Sequence, residues 1–267
     1  VKITIIGGGA MGEAIIRGVL ARGSLAPQDI SVCDIDSSRL STLKKNYGVK
    51  SSRNYQTALK DAELVALAVK PQSLPGLLPD LKGTLKKGQL VLSIIAGAKI
   101  ATIAKGLDHY QIVRAMPNTP AQIGVGITAW TASDKATAKQ KKLAQSVLDA
   151  LGKETYVDNE RYIDMATAVS GSGPAYIFYM IEGLTDAAVR IGLPRETAGE
   201  LVLETVLGSA LLADSSQQSP RELRKQVTSP GGTTAAGIAA LENGKFKELL
   251  ADAVAAAHKR ARELGGK

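Results

Sequence analysis

The first twenty residues constrain this chain most. Lys2-Ile3-Thr4-Ile5-Ile6 is a short β-branched apolar run. Gly7-Gly8-Gly9-Ala10-Met11-Gly12 follows at once, and Ala14, Ile15, Gly18 and Val19 then recur at helical spacing. Strand, glycine turn and helix in that order are the context in which a G-x-G-x-x-G pattern specifies a dinucleotide site. Gly7 permits the tight turn, Gly9 lets the backbone approach a pyrophosphate, and Gly12 lets helix and strand pack closely. Ala10 and Met11 then open a helix whose unbonded N–H groups and dipole attract the anion.

Strands and helices alternate through the first 158 residues. Strands are expected at Ile3–Ile6, Ile30–Cys33, Val49–Ser51, Leu64–Val69, Leu90–Ile94, Gln111–Arg114, Gly126–Thr131 and Glu154–Val157. Leu40, Leu43 and Tyr47 mark a helix over Ser37–Tyr47, and Leu143, Val147, Leu148 and Leu151 mark one over Asp134–Leu151. Such alternation predicts an α/β fold, a mostly parallel sheet wrapped by helices on both faces. After Asp158 no strand is expected, and alanine-rich helical stretches run to the end, broken at Gly192-Leu193-Pro194, Ser219-Pro220 and Ser229-Pro230-Gly231-Gly232. The chain therefore divides near residue 160 into a dinucleotide-binding domain, 1–160, and a helical domain, 161–267.

Composition excludes several classes. The net charge is +8, but Lys and Arg are dispersed over helices and aromatics make up only 4% of the chain. A nucleic-acid surface needs clustered charge, so none is expected. Cys33 is the only cysteine and ends an apparent buried strand, which makes it a core thiol. His109 and His258 are the only histidines and share no ligand spacing, so no metal site is expected. No leader peptide and no apolar run long enough to span a bilayer is recognisable. A cytoplasmic protein without a membrane partner is expected.

The strand ends carry the candidate chemistry. Asp34 lies 22 residues past Gly12, where an acidic side chain binds the adenine ribose hydroxyls and disfavours a 2′-phosphate. Ser37 and Arg39 follow closely and would receive that phosphate if Asp34 turned away; either Asp36 or Ser37 caps the next helix. Lys70, in Ala68-Val69-Lys70-Pro71, is a cofactor contact or a solvated lysine. Asn118, in Met116-Pro117-Asn118-Thr119-Pro120, either bonds a nicotinamide or ribose or simply forms the turn. Two glycine-rich segments lie in the helical part, Ser170-Gly171-Ser172-Gly173-Pro174-Ala175 and Thr228-Ser229-Pro230-Gly231-Gly232-Thr233-Thr234. The second has the form of a helix start with free donors, which suits a small carboxylate. No histidine lies near these loops. Carbonyl reduction needs a proton donor for the developing alkoxide. A protonated imine needs none, because hydride arrival neutralises it; the alternatives are therefore an imine substrate or a lysine or tyrosine as the donor, and the lack of an obvious acid points towards the imine.

Together these residues resemble the pyrroline-5-carboxylate reductase family. The matching stretches are Gly7–Gly12, Ala68–Pro71, Arg114–Pro120, Ser170–Ala175, Gly192–Arg195 and Ser229–Thr234, which span almost the whole chain. The resemblance implies a Rossmann-type doubly wound sheet followed by an all-helical dimerisation domain. It implies reduction of 1-pyrroline-5-carboxylate to L-proline, the last step of proline biosynthesis, with NADPH or NADH and without flavin or metal. It implies that Glu160, Ser229, Gly232, Thr233 and Thr234 face the substrate and that Thr234 bonds the ring nitrogen as the catalytic residue. On the cofactor side it implies Gly7 to Gly12, the turn after Cys33, Asn54, Ala68, Val69, Lys70, Pro71 and Ala96. Asp34 departs from members with a small polar residue there, which leaves NADPH preference open. It implies a homodimer through the helical domain and, as the higher state, a decamer of five dimers.

Two rival readings fit these residues less well. A β-hydroxyacid dehydrogenase carries a catalytic lysine four residues after the second glycine of a G-x-G segment; here that slot after Gly173 holds Ile177. A non-enzymatic NAD(P)-binding regulator would have no use for Ser229–Thr234.

Overall fold

The structure, a computed structural model, describes residues 1–266. Eight strands form one sheet: β1 (Ile3–Ile6), β2 (Ile30–Cys33), β3 (Lys50–Ser52), β4 (Leu64–Leu67), β5 (Leu90–Ser93), β6 (Ile112–Met116), β7 (Gly126–Ala132) and β8 (Gly152–Tyr156). Their order is β3-β2-β1-β4-β5-β6-β7-β8. Every pairing is parallel except β6 with β7. The chain builds outward from β1 to β3, then returns to the other side of β1 with β4. The sheet therefore reverses direction between β1 and β4, and such a switch point opens a crevice at the carboxyl ends of the strands.

Period-two alternation in the apolar runs explains the layering. Ile3, Ile5, Leu64 and Ala66 face one side, where they pack with α1 (Ala10–Ala21), α2 (Ser37–Tyr47) and, further along the sheet, α6 (Ala138–Asp149). Ile6, Val65 and Leu67 face the other, against α3 (Tyr55–Leu59), α4 (Leu74–Leu81) and α5 (Ile100–Leu107). Covered on both faces, the central strands read as unbroken hydrophobic runs.

Several boundaries differ from expectation, and three of them have a visible cause. β4 stops at Leu67, two residues early, because Ala68 and Val69 already turn toward the crevice. α6 begins at Ala138 rather than near 134, because Thr137 and Gln140 form a reciprocal capping box. β8 starts two residues early, at Gly152, where it joins β7 in register with Gly126.

The remaining helices are α7 (Arg161–Ala166), α8 (Gly173–Arg190), α9 (Arg195–Ser215), α10 (Pro220–Gln226), α11 (Thr233–Asn243) and α12 (Phe246–Leu264). A short π-helical turn, Thr167–Gly171, separates α7 from α8. Among the described residues no strand follows β8. Two compact units result. One comprises Val1–Ser172 and the described residues from Ala256 onward; the other is Gly173–Ala255. α7 thus packs with the sheet, and Ile163 and Asp164 are buried there.

The second unit has little interior of its own. No described residue of α8, α10 or α11 is buried, and α9 buries only Ala198. Phe178, Tyr179, Leu203, Leu207 and Leu211 are each at least half exposed.

Candidate functional site

The glycine turn sits at the sheet's switch point. Gly7 has φ +101°, its N–H donates to the Cys33 carbonyl at 2.8 Å, and a Cβ there would lie 2.6 Å from the Ala68 carbonyl oxygen. A Cβ on Gly12 would lie 2.0 Å from the Gly7 carbonyl oxygen. Gly9 is the reverse case: nothing stands within 4 Å of a Cβ built on it, and it caps α1 with no side-chain bond to the first turn. The turn is closed at two glycines and open at the third, with the N–H groups of Ala10 and Met11 at the open end. That geometry fits a dinucleotide pyrophosphate.

A cleft of about 370 Å³ opens beside this turn. Gly7, Gly9, Asp34, Ala68, Val69 and Lys70 line it, together with Cys33, Ile35, Tyr55, Ser73, Gly76, Leu77 and Asp80. The sequence reading names the first group as cofactor residues. It misses the contribution of α3 and α4, because neither carries a motif and only the topology brings Tyr55 and Asp80 across the crevice.

Asp34 is held firmly. Its Oδ2 accepts the Gly8 N–H at 2.6 Å and its Oδ1 accepts the Asp36 N–H at 2.9 Å. Asp36 caps α2, accepting from the Ser38 and Arg39 amides, so Ser37 is the exposed first residue of that helix. Arg39 does not stand free for a phosphate. Its Nε donates to the Gly8 carbonyl and its Nη2 to Glu13, which also accepts from the Tyr47 hydroxyl at 2.7 Å. Burial pushes the Glu13 carboxyl up, and the hydrogen bonds from Arg39 and Tyr47 overcome it and hold the group below its ordinary value. Cys33 is buried; burial first, and the neighbouring Asp34 charge second, push its thiol up to about 11.

The other expected cofactor residues are spread along the same edge of the sheet. Pro71 follows Lys70 as the first residue of a 3₁₀ turn. Asn54 caps α3, its Oδ1 accepting the Thr57 amide at 2.9 Å. Ala96 is half-buried in the turn before α5. Asn118 accepts the Ile127 N–H at 3.0 Å and so ties its Pro-rich turn to β7. None of these four lines the cleft.

Arg114, on β6, organises a buried ion cluster to which the sequence reading assigns no role. Its Nη1 donates to Glu160 at 3.0 Å and its Nη2 to Asp164. Glu160 Oε1 also accepts the Ile100 N–H at 2.7 Å, at the start of α5. One oxygen of Glu160, expected at the substrate, is therefore engaged by Arg114 and α5, while the side chain stays one-third exposed.

In the other unit, Ser229, Gly232, Thr233 and Thr234 form one turn and helix start. Gly231 has φ +73° and Gly232 is the cap of α11. A Cβ on Gly232 would meet the Ser229 Oγ at 2.5 Å, so only glycine lets the Ser229 hydroxyl lie over the helix end. No side chain caps α11, which leaves first-turn amides without an intrahelical acceptor. Ser229 and Thr233 are exposed and Thr234 is half-buried.

Residues 160–264 match the family model described as pyrroline-5-carboxylate reductase dimerisation, and residues 2–97 match that of the coenzyme F420-dependent NADP oxidoreductases. A curated pyrroline-5-carboxylate reductase of Synechocystis sp. is 43% identical over 267 residues, 100% of this chain and 99% of that protein. The chain belongs to the pyrroline-5-carboxylate reductase family. The structure of a pyrroline-5-carboxylate reductase from Coxiella burnetii superposes with a TM-score of 0.92 at 40% identity, covering 100% of this chain and 99% of that one. That of Plasmodium falciparum pyrroline carboxylate reductase, solved with NADP bound, gives 0.90 at 30% identity, with 100% and 98% covered. Membership accounts for the pairing of a nicotinamide-dinucleotide sheet with a helical dimerisation segment. Among the described residues no group of His, Cys, Asp and Glu could hold a metal, and no helix is long and apolar enough to cross a membrane.

Proposed function

We propose that this chain reduces 1-pyrroline-5-carboxylate to L-proline with NADPH or NADH, acting as a homodimer. The observation that carries the reading is a family relationship running the full length of the chain, through both the glycine-turn cleft and the Ser229–Thr234 loop. Reduced nicotinamide supplies the hydride. Gly7, Gly9, Ala10, Met11 and Gly12 take its pyrophosphate. Asp34, Ser37 and Asn54 serve the adenosine end, and Ala68, Val69, Lys70, Pro71, Ala96 and Asn118 the nicotinamide half.

Ser229, Gly232 and Thr233 bind the substrate carboxylate with the first-turn amides of α11, where the helix dipole adds to the attraction. The family resemblance assigns Glu160 to the substrate as well. Thr234 holds the ring nitrogen by a hydrogen bond and so fixes the plane of the C=N bond, chiefly a proximity effect. The C=N carbon accepts the hydride, the π electrons move to the nitrogen, and the protonated imine becomes a neutral amine. No side chain must deliver a proton in that step. His109 is consistent with this: it is buried against the Gln89 carbonyl, at the opposite edge of the sheet from the cleft.

The exposed apolar side chains of α8 and α9 support a dimer in which a second copy covers them. Residues 161–267 form that contact, five dimers assemble into a decamer, and the enzyme works in the cytoplasm. The test is conversion of synthetic 1-pyrroline-5-carboxylate with NADPH or NADH. Stoichiometric L-proline supports the proposal, and oxidation of neither nucleotide contradicts it.

A further inference from the structure

The adenosine end of the cleft carries an electrostatic asymmetry that bears on which nicotinamide cofactor the chain uses. Asp34 cannot turn out of the way, because Gly8 and Asp36 both donate to it. An ionised carboxylate offers about four lone-pair sites. Two are used by those amides, and the rest remain for ribose hydroxyls. Asp80 enters the same cleft from α4. Tyr55 lines the cleft with them; burial first, then Cys33, Asp80 and Asp34, push its phenol up.

Cations do not balance this pair. Arg39, the basic side chain placed to neutralise a phosphate beside Asp34, spends Nε on the Gly8 carbonyl and Nη2 on Glu13. Among the described residues lining the cleft, Lys70 is the one cation. It follows β4 while Asp34 follows β2, with β1 between them. At roughly 4.8 Å per strand, their backbones start about 10 Å apart. Lys70 therefore stands on the nicotinamide side of the turn, away from the adenine ribose. A 2′-phosphate, with about two negative charges, would face two carboxylates, while the Arg39 guanidinium beside Asp34 is already paired with Glu13.

We infer that Asp34 and Asp80 together select the unphosphorylated dinucleotide, making NADH the preferred cofactor of this chain. The inference rests on the nicotinamide-dependent reading above and deepens it. Asp34 chooses by accepting from the ribose hydroxyls, Asp80 by repulsion alone, and the Arg39–Glu13–Tyr47 cluster withholds the compensating charge.

Titration calorimetry of the full chain with NADH, NADPH, 5′-ADP and 2′,5′-ADP tests this without turnover. NADH is expected to bind at least about tenfold more tightly than NADPH, with the two adenosine fragments ordered the same way. Asp80→Asn, which removes one charge and no backbone bond, should narrow the gap by tightening NADPH while leaving NADH unchanged. Asp34→Ser should narrow it further, partly by weakening NADH. NADPH binding as tightly as NADH in the wild type would overturn the inference and leave the reductase reading intact. So would a gap that neither variant changes. Binding of neither nucleotide would overturn both.

Discussion

Replacing Thr234 with alanine separates substrate chemistry from cofactor binding. Thr234 is the second residue of α11, after the cap Gly232, so the substitution removes no helix cap. Alanine has the higher helix propensity, by at most about 0.7 kcal/mol, so stability should hold or rise slightly. The loss should fall on catalysis. A hydrogen bond to a charged group contributes about 1.5–3 kcal/mol. If that bond is made in the transition state, Thr234→Ala should lower kcat/KM roughly 10- to 150-fold, at ~1.4 kcal/mol per tenfold. Steady-state rates with saturating NADH, set beside NADH affinity from fluorescence quenching, resolve the two effects. Affinity should be unchanged, and Thr234→Ser should recover most of the rate. Wild-type kcat/KM in Thr234→Ala would remove the hydroxyl from the mechanism, and a matching loss of NADH affinity would move its role to the cofactor.

Further outcomes follow from the same geometry. Gly12→Ala puts a Cβ 2.0 Å from the Gly7 carbonyl oxygen, so calorimetry should show dinucleotide binding lost; retained affinity would mean that α1 yields without opening the turn. Asp164→Ala leaves the buried Arg114 guanidinium short of a partner, and urea unfolding should show a loss of about 3–5 kcal/mol, against less than half of that for the more exposed Glu160→Ala. The Cys33 thiol, raised from 9.0 to about 11, contributes stability that is full below pH 9 and lost as the pH climbs through about 11. Cys33→Ala should therefore flatten the alkaline limb of the stability profile, and an unchanged limb would assign it to other groups. Light scattering should give the mass of two chains or of ten; an active monomer would refute the assembly proposal and leave the fold standing.

The sheet was legible because its strands are buried on both faces, so short β-branched runs such as Ile3–Ile6 stand out against lysine-rich helices. All eight expected strands are present, displaced by no more than two residues at either end. The glycine turn was legible because φ +101° at Gly7 and the 2.0 Å approach at Gly12 admit no side chain. What could not be read depends on topology. Tyr55 and Asp80 reach the cleft only because β4 returns beside β1, and nothing in their own sequence neighbourhood marks them. Arg114 gave no signal because its partners lie 46 and 50 residues away. The sequence offers Asp34 as a ribose ligand, but its hold on Gly8 and the pairing of Arg39 with Glu13 needed coordinates.

The most direct measurement follows the hydride itself. The full chain is incubated with 1-pyrroline-5-carboxylate and NADH or NADPH carrying deuterium on the transferable face of the nicotinamide ring, and the product is read by mass spectrometry and NMR. The expected result is L-proline with one deuterium on the ring carbon of the former C=N bond. Unlabelled proline, or no proline from a chain that still binds the dinucleotide, would contradict the assignment of this family member as an imine reductase.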